Sequence, residues 1–152
     1  MITLRDPKPD EAVELTDLCL RSKAVWGYDQ QFMEACRREL TFTPTDLHSH
    51  NIQVAEADGR VVGVVEVVLE GEDAELAKLF VEPTSLRAGA GRTLFQWAKA
   101  TARAFGASIL TIDADPGAAN FYRRMGAVDD GVVPSGSIPG RTLPRLVLRL
   151  RE

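Results

Sequence analysis

Hydrophobic and polar positions follow two different periods along the chain. Apolar residues recur every three to four positions after Asp10 and again after Asp29, which predicts two helices with aspartate caps. From Asn51 the spacing changes to that of strands, and Asp58-Gly59 predicts a two-residue turn in a β-hairpin. A third strand ends at Pro83, so we expect these three strands to form an antiparallel meander.

The second half of the chain alternates helix and strand. Helical spacing from Leu94 to Phe105 is followed by SILTID, which is typical of a short buried strand. Asp115 and Pro116 then predict the start of another helix, because aspartate caps helix N-termini and proline favours the first helical position.

Shorter segments complete the predicted order of elements. ITLR near the N-terminus is predicted to be a strand, and TFTPTDLHSHN is predicted to be a loop. The last two strands, AVDDGVV and RLVLRL, are separated by the loop PSGSIPGRTLP. The order β-α-α-β-β-β-α-β-α-β-β predicts one α+β domain over residues 1–152, in three layers, with a mixed, mostly antiparallel sheet flanked by helices.

Composition excludes several classes of protein. The 152 residues are 45% hydrophobic and 26% charged, which is typical of one globular domain that needs no metal to fold. No apolar stretch approaches the length of a membrane span, and the N-terminal residues do not show the pattern of a signal peptide, so we expect a cytoplasmic protein with no membrane partner. A net charge of −4 argues against general nucleic-acid binding. Cys19 and Cys36 do not make a disulfide framework.

The loop between the third strand and the next helix carries the most chemical information. It follows Pro83 and contains Gly89 and Gly91, and an apolar-striped helix follows at once. Glycines let the backbone approach a ligand, and the N–H groups of a first helical turn form an anion site together with the helix dipole. Between Thr84 and Phe105 there are four basic residues and no acidic ones. We therefore predict a phosphate or pyrophosphate ligand here.

Two common phosphate-binding loops do not fit this segment. A P-loop requires a lysine followed by serine or threonine after its glycines, and none is present. The dinucleotide fingerprint requires a small residue where Leu94 stands. It also belongs to a parallel sheet, whereas the preceding strands are predicted to form a meander.

The chain resembles the GCN5-related N-acetyltransferase (GNAT) superfamily, in which a strand ending in V-x-P precedes a Q/R-x-x-G-x-G/A loop and a helix. Residues 81–83 read Val-Glu-Pro and residues 86–91 read Leu-Arg-Ala-Gly-Ala-Gly, which match this pattern. Residues 121–127 resemble the family's F-Y-x-x-x-G-F. Two positions depart from the family: Leu86 replaces the usual Gln or Arg, and Asp115 replaces a frequent Asn.

The resemblance implies acetyl-CoA as cosubstrate, with no metal, and direct attack of a neutral amine on the thioester. The pyrophosphate would lie on the glycine loop, and the pantetheine would follow the preceding strand. The residues implied to bind acetyl-CoA are Leu79, Phe80, Val81, Arg87, Ala88, Gly89, Ala90, Gly91, Arg92, Thr93 and Asp115.

Two residues are candidates for catalytic proton transfer. Tyr122 occupies the family position of the acid that protonates the leaving thiolate, and the alternative is a core aromatic residue. Glu75 stands where a glutamate acts as base in the histone-acetylating branch, and the alternative is a solvated sheet face. On a strand without a bulge, Glu75 would share a face with Leu79 and Val81.

Three other titratable residues have weaker claims. Glu66 interrupts an apolar run, so it is either outward-facing or buried for a purpose. His48 and His50 are expected to be exposed loop residues. Since ordered water carries the proton away in many members of the family, a single base is not required.

In the family the acceptor site is built by the loop between the first two helices and the connection between the last two strands. Trp26 and Tyr28 flank Gly27 in the first of these and are candidates for the pocket wall, with a hydrophobic plug as the alternative. Arg141 lies in the second, and it is either a partner for a substrate carboxylate or a surface arginine.

Together these features predict an N-acetyltransferase that acts on the primary amine of a small molecule. Two alternatives stay open: a non-catalytic acyl-CoA-binding regulatory module, and a protein lysine or N-terminal acetyltransferase. Homodimers are common in the family, and the sequence leaves the oligomeric state open.

Overall fold

A computed structural model describes residues 1–86 and 88–151. The strands are β1 (Ile2–Arg5), β2 (Asn51–Ala57), β3 (Arg60–Glu70), β4 (Asp73–Val81), β5 (Ile109–Asp113), β6 (Val128–Pro134) and β7 (Thr142–Arg149). The helices are α1 (Ala12–Ala24), α2 (Gln30–Leu40), α3 (Pro44–Ser49), α4 (Ala90–Ala104) and α5 (Ala119–Arg124). The seven strands form one sheet in the order β1-β2-β3-β4-β5-β7-β6.

The sheet opens at its centre, between β4 and β5. These two strands are its one parallel pair within the described residues, and they are hydrogen-bonded only from Asp73 opposite Ile109 to Glu75 opposite Thr111. Beyond Glu75 they separate. The remainder of β4, as far as Val81, therefore presents an edge that β5 does not cover.

Two hydrophobic cores lie on the two faces of the sheet. Helices α4 and α5 cover one face, where Leu94 and Phe95 are fully buried. Gly63 on β3 lets α4 approach closely, because a Cβ there would lie 2.7 Å from Leu94 Cδ1. Helices α1, α2 and α3 cover the other face, around Leu15 and Leu18. The predicted mixed, mostly antiparallel sheet in three layers is confirmed.

Local signals in the sequence position several elements correctly. Asp58 and Gly59 have φ values of +52° and +75°, as a primed turn requires, and they join β2 to β3. Asp29 caps α2, since its Oδ1 accepts a hydrogen bond from the Phe32 N–H at 2.8 Å.

The segment TFTPTDLHSHN is not a loop throughout, so that prediction is wrong. It contains α3, which begins at Pro44 and is held by a reciprocal cap. Thr43 Oγ1 accepts from the Asp46 N–H at 3.1 Å, and the Asp46 carboxylate accepts from the Thr43 N–H at 2.9 Å. A helix of six residues is too short to show an apolar period, which is why the pattern missed it.

Two predicted helix starts also need correction. The first helix begins at Ala12, after a 3₁₀ turn at Pro9–Glu11, rather than at an Asp10 cap. Helix α5 begins at Ala119, because Asp115 uses its Oδ1 to accept from the Gly117 N–H at 3.0 Å in a local turn.

Strand β4 contains a bulge that reverses its alternation. Ala77 is the extra residue between the pairs that Leu76 and Lys78 make with β3. As a result Leu76 and Val81 both face the α4 core, although they are five positions apart. Glu75 therefore faces the α1–α2 side, and the prediction that it shares a face with Leu79 and Val81 is wrong.

Candidate active site

A cavity of about 550 Å³ lies where β4 and β5 separate. One end reaches the start of α4 and the side of α5, and the other end lies against α1 and α2. Its walls include Lys23, Trp26, Glu39, Lys78, Leu79, Phe80, Val81, Gly91, Asp113, Asp115 and Tyr122. The split in the sheet therefore joins the glycine loop to the loop between the first two helices.

The α4 end is built from backbone groups. Gly89 precedes the helix at φ +88°, a left-handed conformation that favours glycine. Thr93 donates its backbone N–H to the Gly89 carbonyl at 3.1 Å, which closes the first turn. The N–H groups of residues 90–92 precede that bond and point out of the helix start. An anion placed there would meet these donors and the positive end of the helix dipole.

The residues predicted to bind acetyl-CoA divide between the cavity wall and this helix start. Leu79, Phe80, Val81, Gly91 and Asp115 line the cavity. Ala88, Gly89, Ala90, Arg92 and Thr93 form the loop and first turn beside it. Arg87 lies outside the described residues.

Tyr122 lies on α5, and its ring packs in the α4 core. The residue also forms part of the cavity wall. The Phe95 and Phe121 rings pack against it, with centroids 5.8 and 5.1 Å away. Among the described residues no side chain hydrogen-bonds to its hydroxyl. Burial raises the pKa of Tyr122 well above its usual range, so the phenol keeps its proton at any ordinary pH.

Glu75 is exposed on the α1–α2 side of the sheet and does not itself line the cavity, but its strand is the neighbour of the strand that carries Asp113. Asp113 lines the cavity and accepts two hydrogen bonds from Arg145, at 2.8 and 3.1 Å. Partial desolvation, and then the negative charge of Asp113, raise the pKa of Glu75 above its ordinary value. Glu75 therefore takes up a proton more readily than an isolated glutamate.

Four side chains from separate segments meet at the α1–α2 end, and we call them the Asp115 network: Lys23, Tyr28, Asp115 and Arg141. The Tyr28 hydroxyl donates to Asp115 Oδ2 at 2.7 Å and accepts from Arg141 Nη2 at 2.6 Å. Lys23 Nζ lies 3.4 Å from the same carboxylate oxygen. Desolvation and the hydrogen bond to Asp115 raise the pKa of Tyr28 to about 12. The network ties the first loop, the β5–α5 turn and the β6–β7 loop together.

Aromatic side chains surround the Asp115 network. Tyr28 stacks on Phe32 at 3.9 Å, and the Arg141 guanidinium lies 4.9 Å from the Phe32 ring centre. Trp26 is 46% exposed, lines the cavity and packs against Gly117, where a Cβ would lie 2.7 Å from the indole. Of the three predicted acceptor residues, Trp26 lies on the wall, and Tyr28 and Arg141 reach it through Asp115.

A second polar cluster was not predicted as a unit. Glu66 is 4% exposed in the middle of β3, and its Oε1 accepts from Lys78 Nζ at 3.0 Å. Its Oε2 lies 2.5 Å from His50 Nδ1. Glu66 is therefore buried and paired rather than outward-facing. His50 is half-exposed, but it is paired with Glu66 and is not an isolated loop residue. The one signal for this cluster in the sequence was the lone carboxylate in VVGVVEVVL.

Residues 1–86 and 88–151 contain neither a helix that could cross a membrane nor a cluster of potential metal ligands. No helix there has the length and apolar character needed to cross a membrane. No three His, Cys, Asp or Glu side chains in that part of the chain are grouped so that they could hold a metal ion.

Comparison with solved structures identifies the architecture. PaiA N-acetyltransferase from Thermoplasma acidophilum, in complex with coenzyme A, is 17% identical with a TM-score of 0.79, covering 98% of this chain and 99% of that one. A GCN5-related N-acetyltransferase from Rhodopseudomonas palustris is 25% identical with a TM-score of 0.80, covering 97% and 94%. YncA from Salmonella typhimurium, with its cofactor acetyl-CoA, is 19% identical with a TM-score of 0.69, covering 100% and 95%.

Sequence comparison gives the family directly. No curated protein matches the sequence. The acetyltransferase (GNAT) family matches over residues 14–127, a range that runs from α1 to the end of the FYRRMGA segment. That range holds the glycine loop, the split between β4 and β5, and Tyr122. The chain therefore belongs to the GNAT acetyltransferase family.

Proposed function

We propose that this protein transfers an acetyl group from acetyl-CoA to the primary amine of a small molecule, by direct attack of the amine on the thioester. The main support for this proposal is the path that the cavity follows through the molecule. It begins at the N–H groups of α4, follows the uncovered edge of β4 past Tyr122, and ends among the charged and aromatic side chains of α1 and α2. A donor with phosphates suits the first part, and a small amine suits the second.

The residues of the α4 end fit an acyl-CoA donor. The N–H groups of residues 90–92 would bind the pyrophosphate, and Arg92 adds positive charge beside them. The backbone of Leu79, Phe80 and Val81 would pair with the pantetheine amides, since β5 leaves that edge uncovered. The donor supplies an acetyl group activated as a thioester. PaiA with coenzyme A and YncA with acetyl-CoA share the fold, which supports this assignment.

Tyr122 would act as the acid. Its hydroxyl stays protonated because burial raises its pKa, and its side chain forms part of the cavity wall. When the C–S bond breaks, Tyr122 would donate its proton to the thiolate sulfur. The proton would then return to the phenolate from solvent.

Glu75 would act as the base. It lies on the α1–α2 side of β4, beside the cavity residue Asp113. A primary amine is mostly protonated at neutral pH and must lose a proton before it attacks. Glu75 would accept that proton through water, and its raised pKa makes it a better acceptor than an ordinary glutamate.

The β6–β7 loop favours a small acceptor over a peptide. Ile138 packs into the α1–α2 core, and Arg141 joins the Asp115 network. Gly136 lies directly against the carboxylate of Glu39 on α2. Because these contacts fold the loop onto α2, they cover one side of the acceptor end.

The test is a thiol-release assay with acetyl-CoA and a panel of primary amines, amino acids and short peptides, with product masses as confirmation. We expect acetylation of small amines and little turnover of peptides. Preferred acetylation of a peptide would make the protein acetyltransferase the correct reading. Saturable acetyl-CoA binding without turnover of any acceptor would favour a regulatory module.

A further inference from the structure

Glu66, Lys78 and His50 form what we call the Glu66 cluster. Its burial carries a desolvation cost for which the proposed mechanism gives no reason. Glu66 is 4% exposed between valines of β3, where an apolar side chain would pack without losing hydration. Both of its carboxylate oxygens are occupied, one by Lys78 and the other by His50. This arrangement holds the Lys78 ammonium in one place, and Lys78 is one of the residues that line the cavity.

The Lys78 ammonium is held by Glu66 and lies over the Phe42 ring, and Lys78 lines the cavity. Its side chain is 14% exposed, and its Nζ lies 3.0 Å from Glu66 and 4.8 Å from the centre of the Phe42 ring. An ammonium has three N–H donors. Among the described residues Glu66 is the one hydrogen-bond acceptor for Lys78, so donors remain for a ligand in the cavity.

The other two cations near Asp115, Lys23 and Arg141, share that one carboxylate. Lys23 and Arg141 lie 3.4 and 3.6 Å from the Asp115 carboxylate, and Arg141 also donates to Tyr28. Lys23, like Lys78, keeps N–H donors free, but its contact with Asp115 is longer than the 3.0 Å contact of Lys78 with Glu66, so Lys78 is the more firmly held ammonium that an anionic group would meet at this end.

Glu39 is an anionic residue of the same cavity, and it supports a competing hypothesis. In that hypothesis the acceptor carries a second ammonium that binds Glu39. It lines the cavity, but it is exposed on α2 at the β6–β7 loop, where Gly136 lies against it. Lys78 is mostly buried and is held by an ion pair and an aromatic ring. A fixed, desolvated charge discriminates between ligands better than an exposed one, so the observations favour an anionic group.

We propose that Lys78 forms a carboxylate-binding site at the acceptor end, so that the acceptor is a small molecule bearing both a primary amine and a carboxylate. This inference rests on the acetyl transfer proposed above. In it, Lys78 binds the acceptor, whereas Glu66 and His50 are positioning residues that act through Lys78.

The test uses acceptors matched in length and different only in the charge of the tail. Linear ω-amino acids from glycine to 6-aminohexanoate are compared with the corresponding n-alkylamines and α,ω-diamines in the thiol-release assay. For at least one length we expect kcat/KM for the amino acid to exceed that of both partners by about tenfold or more. In Lys78→Met we expect the ratio of kcat/KM between the amino acid and the n-alkylamine to fall to about one.

Two further variants guard against an unfolded Lys78→Met. The double variant Lys78→Met/Glu66→Gln removes both charges together and leaves no unpaired buried carboxylate. Lys8→Met is the matched control, because Lys8 is exposed and does not line the cavity. The double variant is expected to lose the preference, and the control to keep it.

Binding supplies a readout that does not depend on turnover. Calorimetric titration of the CoA-loaded protein with 4-acetamidobutyrate and with N-butylacetamide compares products with and without the carboxylate. Equal affinities, a preference that survives in both Lys78 variants, or a preference for diamines would overturn the inference. If alkylamines are acetylated with no preference for amino acids, this inference fails and the proposed function stands. If acetyl-CoA neither binds nor reacts, the proposed function itself fails.

Discussion

The two ends of the cavity present different chemical groups. At the α4 end the available groups are backbone N–H donors and an uncovered strand edge, and the adjacent side chains are mostly small, as at Ala90 and Gly91. At the α1–α2 end the groups are side chains that meet from distant parts of the chain. Tyr28 and Asp115 are 87 positions apart, and Tyr28 and Arg141 are 113 apart.

This difference separates the part of the site that holds the family's glycine loop from the part that we propose selects the acceptor. A backbone site needs only glycines and a helix start, so it tolerates changes of side chain such as Leu86. A side-chain site depends on each residue, because a buried polar group that loses its partner is costly. Substitutions at the two ends should therefore have separate effects, on acetyl-CoA affinity at one and on acceptor KM at the other.

The largest effect is expected at Glu75, the proposed base, which lies next to the cavity residue Asp113. Glu75→Gln should lower kcat/KM by about 10²–10³-fold and leave the dissociation constant of acetyl-CoA unchanged. Because the active form is the carboxylate, wild-type kcat/KM should fall as pH decreases through the raised pKa of Glu75, and the variant should lack that limb. A pH profile from steady-state rates checks this. Glu72→Gln, at an exposed turn nearby, is the control and should keep both rate and limb.

Removing the acid should have the next largest effect. Tyr122→Phe should lower kcat by about 10–10²-fold without weakening acetyl-CoA binding. Thermal unfolding should show no loss of stability, since no described side chain bonds to the hydroxyl that is removed. A lowered single-turnover rate together with wild-type affinity for acetyl-CoA would support the assignment of Tyr122 as the acid. An unchanged rate would leave Tyr122 as a core aromatic residue.

Tyr28→Phe tests whether the Asp115 network serves the acceptor end alone. The change removes a hydroxyl that donates to Asp115 and accepts from Arg141, so the free energy of unfolding should fall by about 1–2 kcal/mol. Acceptor KM should rise roughly threefold to tenfold, with acetyl-CoA affinity unaltered. Denaturant unfolding and steady-state kinetics measure the two effects. Weakened acetyl-CoA binding would break the proposed separation of the two ends.

The smallest effect is expected at the rim. Trp26→Ala should raise acceptor KM roughly twofold to fivefold, because the indole is half-exposed and lines the cavity on one side only. Trp97→Phe, at an indole that does not line the cavity, provides a control. An unchanged acceptor KM in a folded Trp26→Ala protein would remove Trp26 from the acceptor pocket.

The same contrast explains how far the sequence predicted the site. The glycine loop and the helix after it are contiguous, so their chemistry was visible at Gly89 and Gly91 before any fold was known. The Lys78–Glu66–His50 cluster joins two strands and a helix end, and nothing local to Lys78 marked it. The bulge at Ala77 was also invisible, because it depends on how β3 pairs with β4, and it moved Glu75 to the other face.

Binding of the acetyl-CoA phosphates at the start of α4 underlies every role that we propose for the cavity. The most direct test is a calorimetric titration of the wild-type protein, Gly89→Glu and Gly59→Glu with acetyl-CoA. Both glycines have positive φ and open space around the Cα, so the two variants carry similar backbone strain and the same added charge. Saturable binding by wild type and Gly59→Glu, weakened at least about 100-fold in Gly89→Glu, is the result we predict. Equal affinities in all three proteins, or no binding by the wild type, would contradict the account.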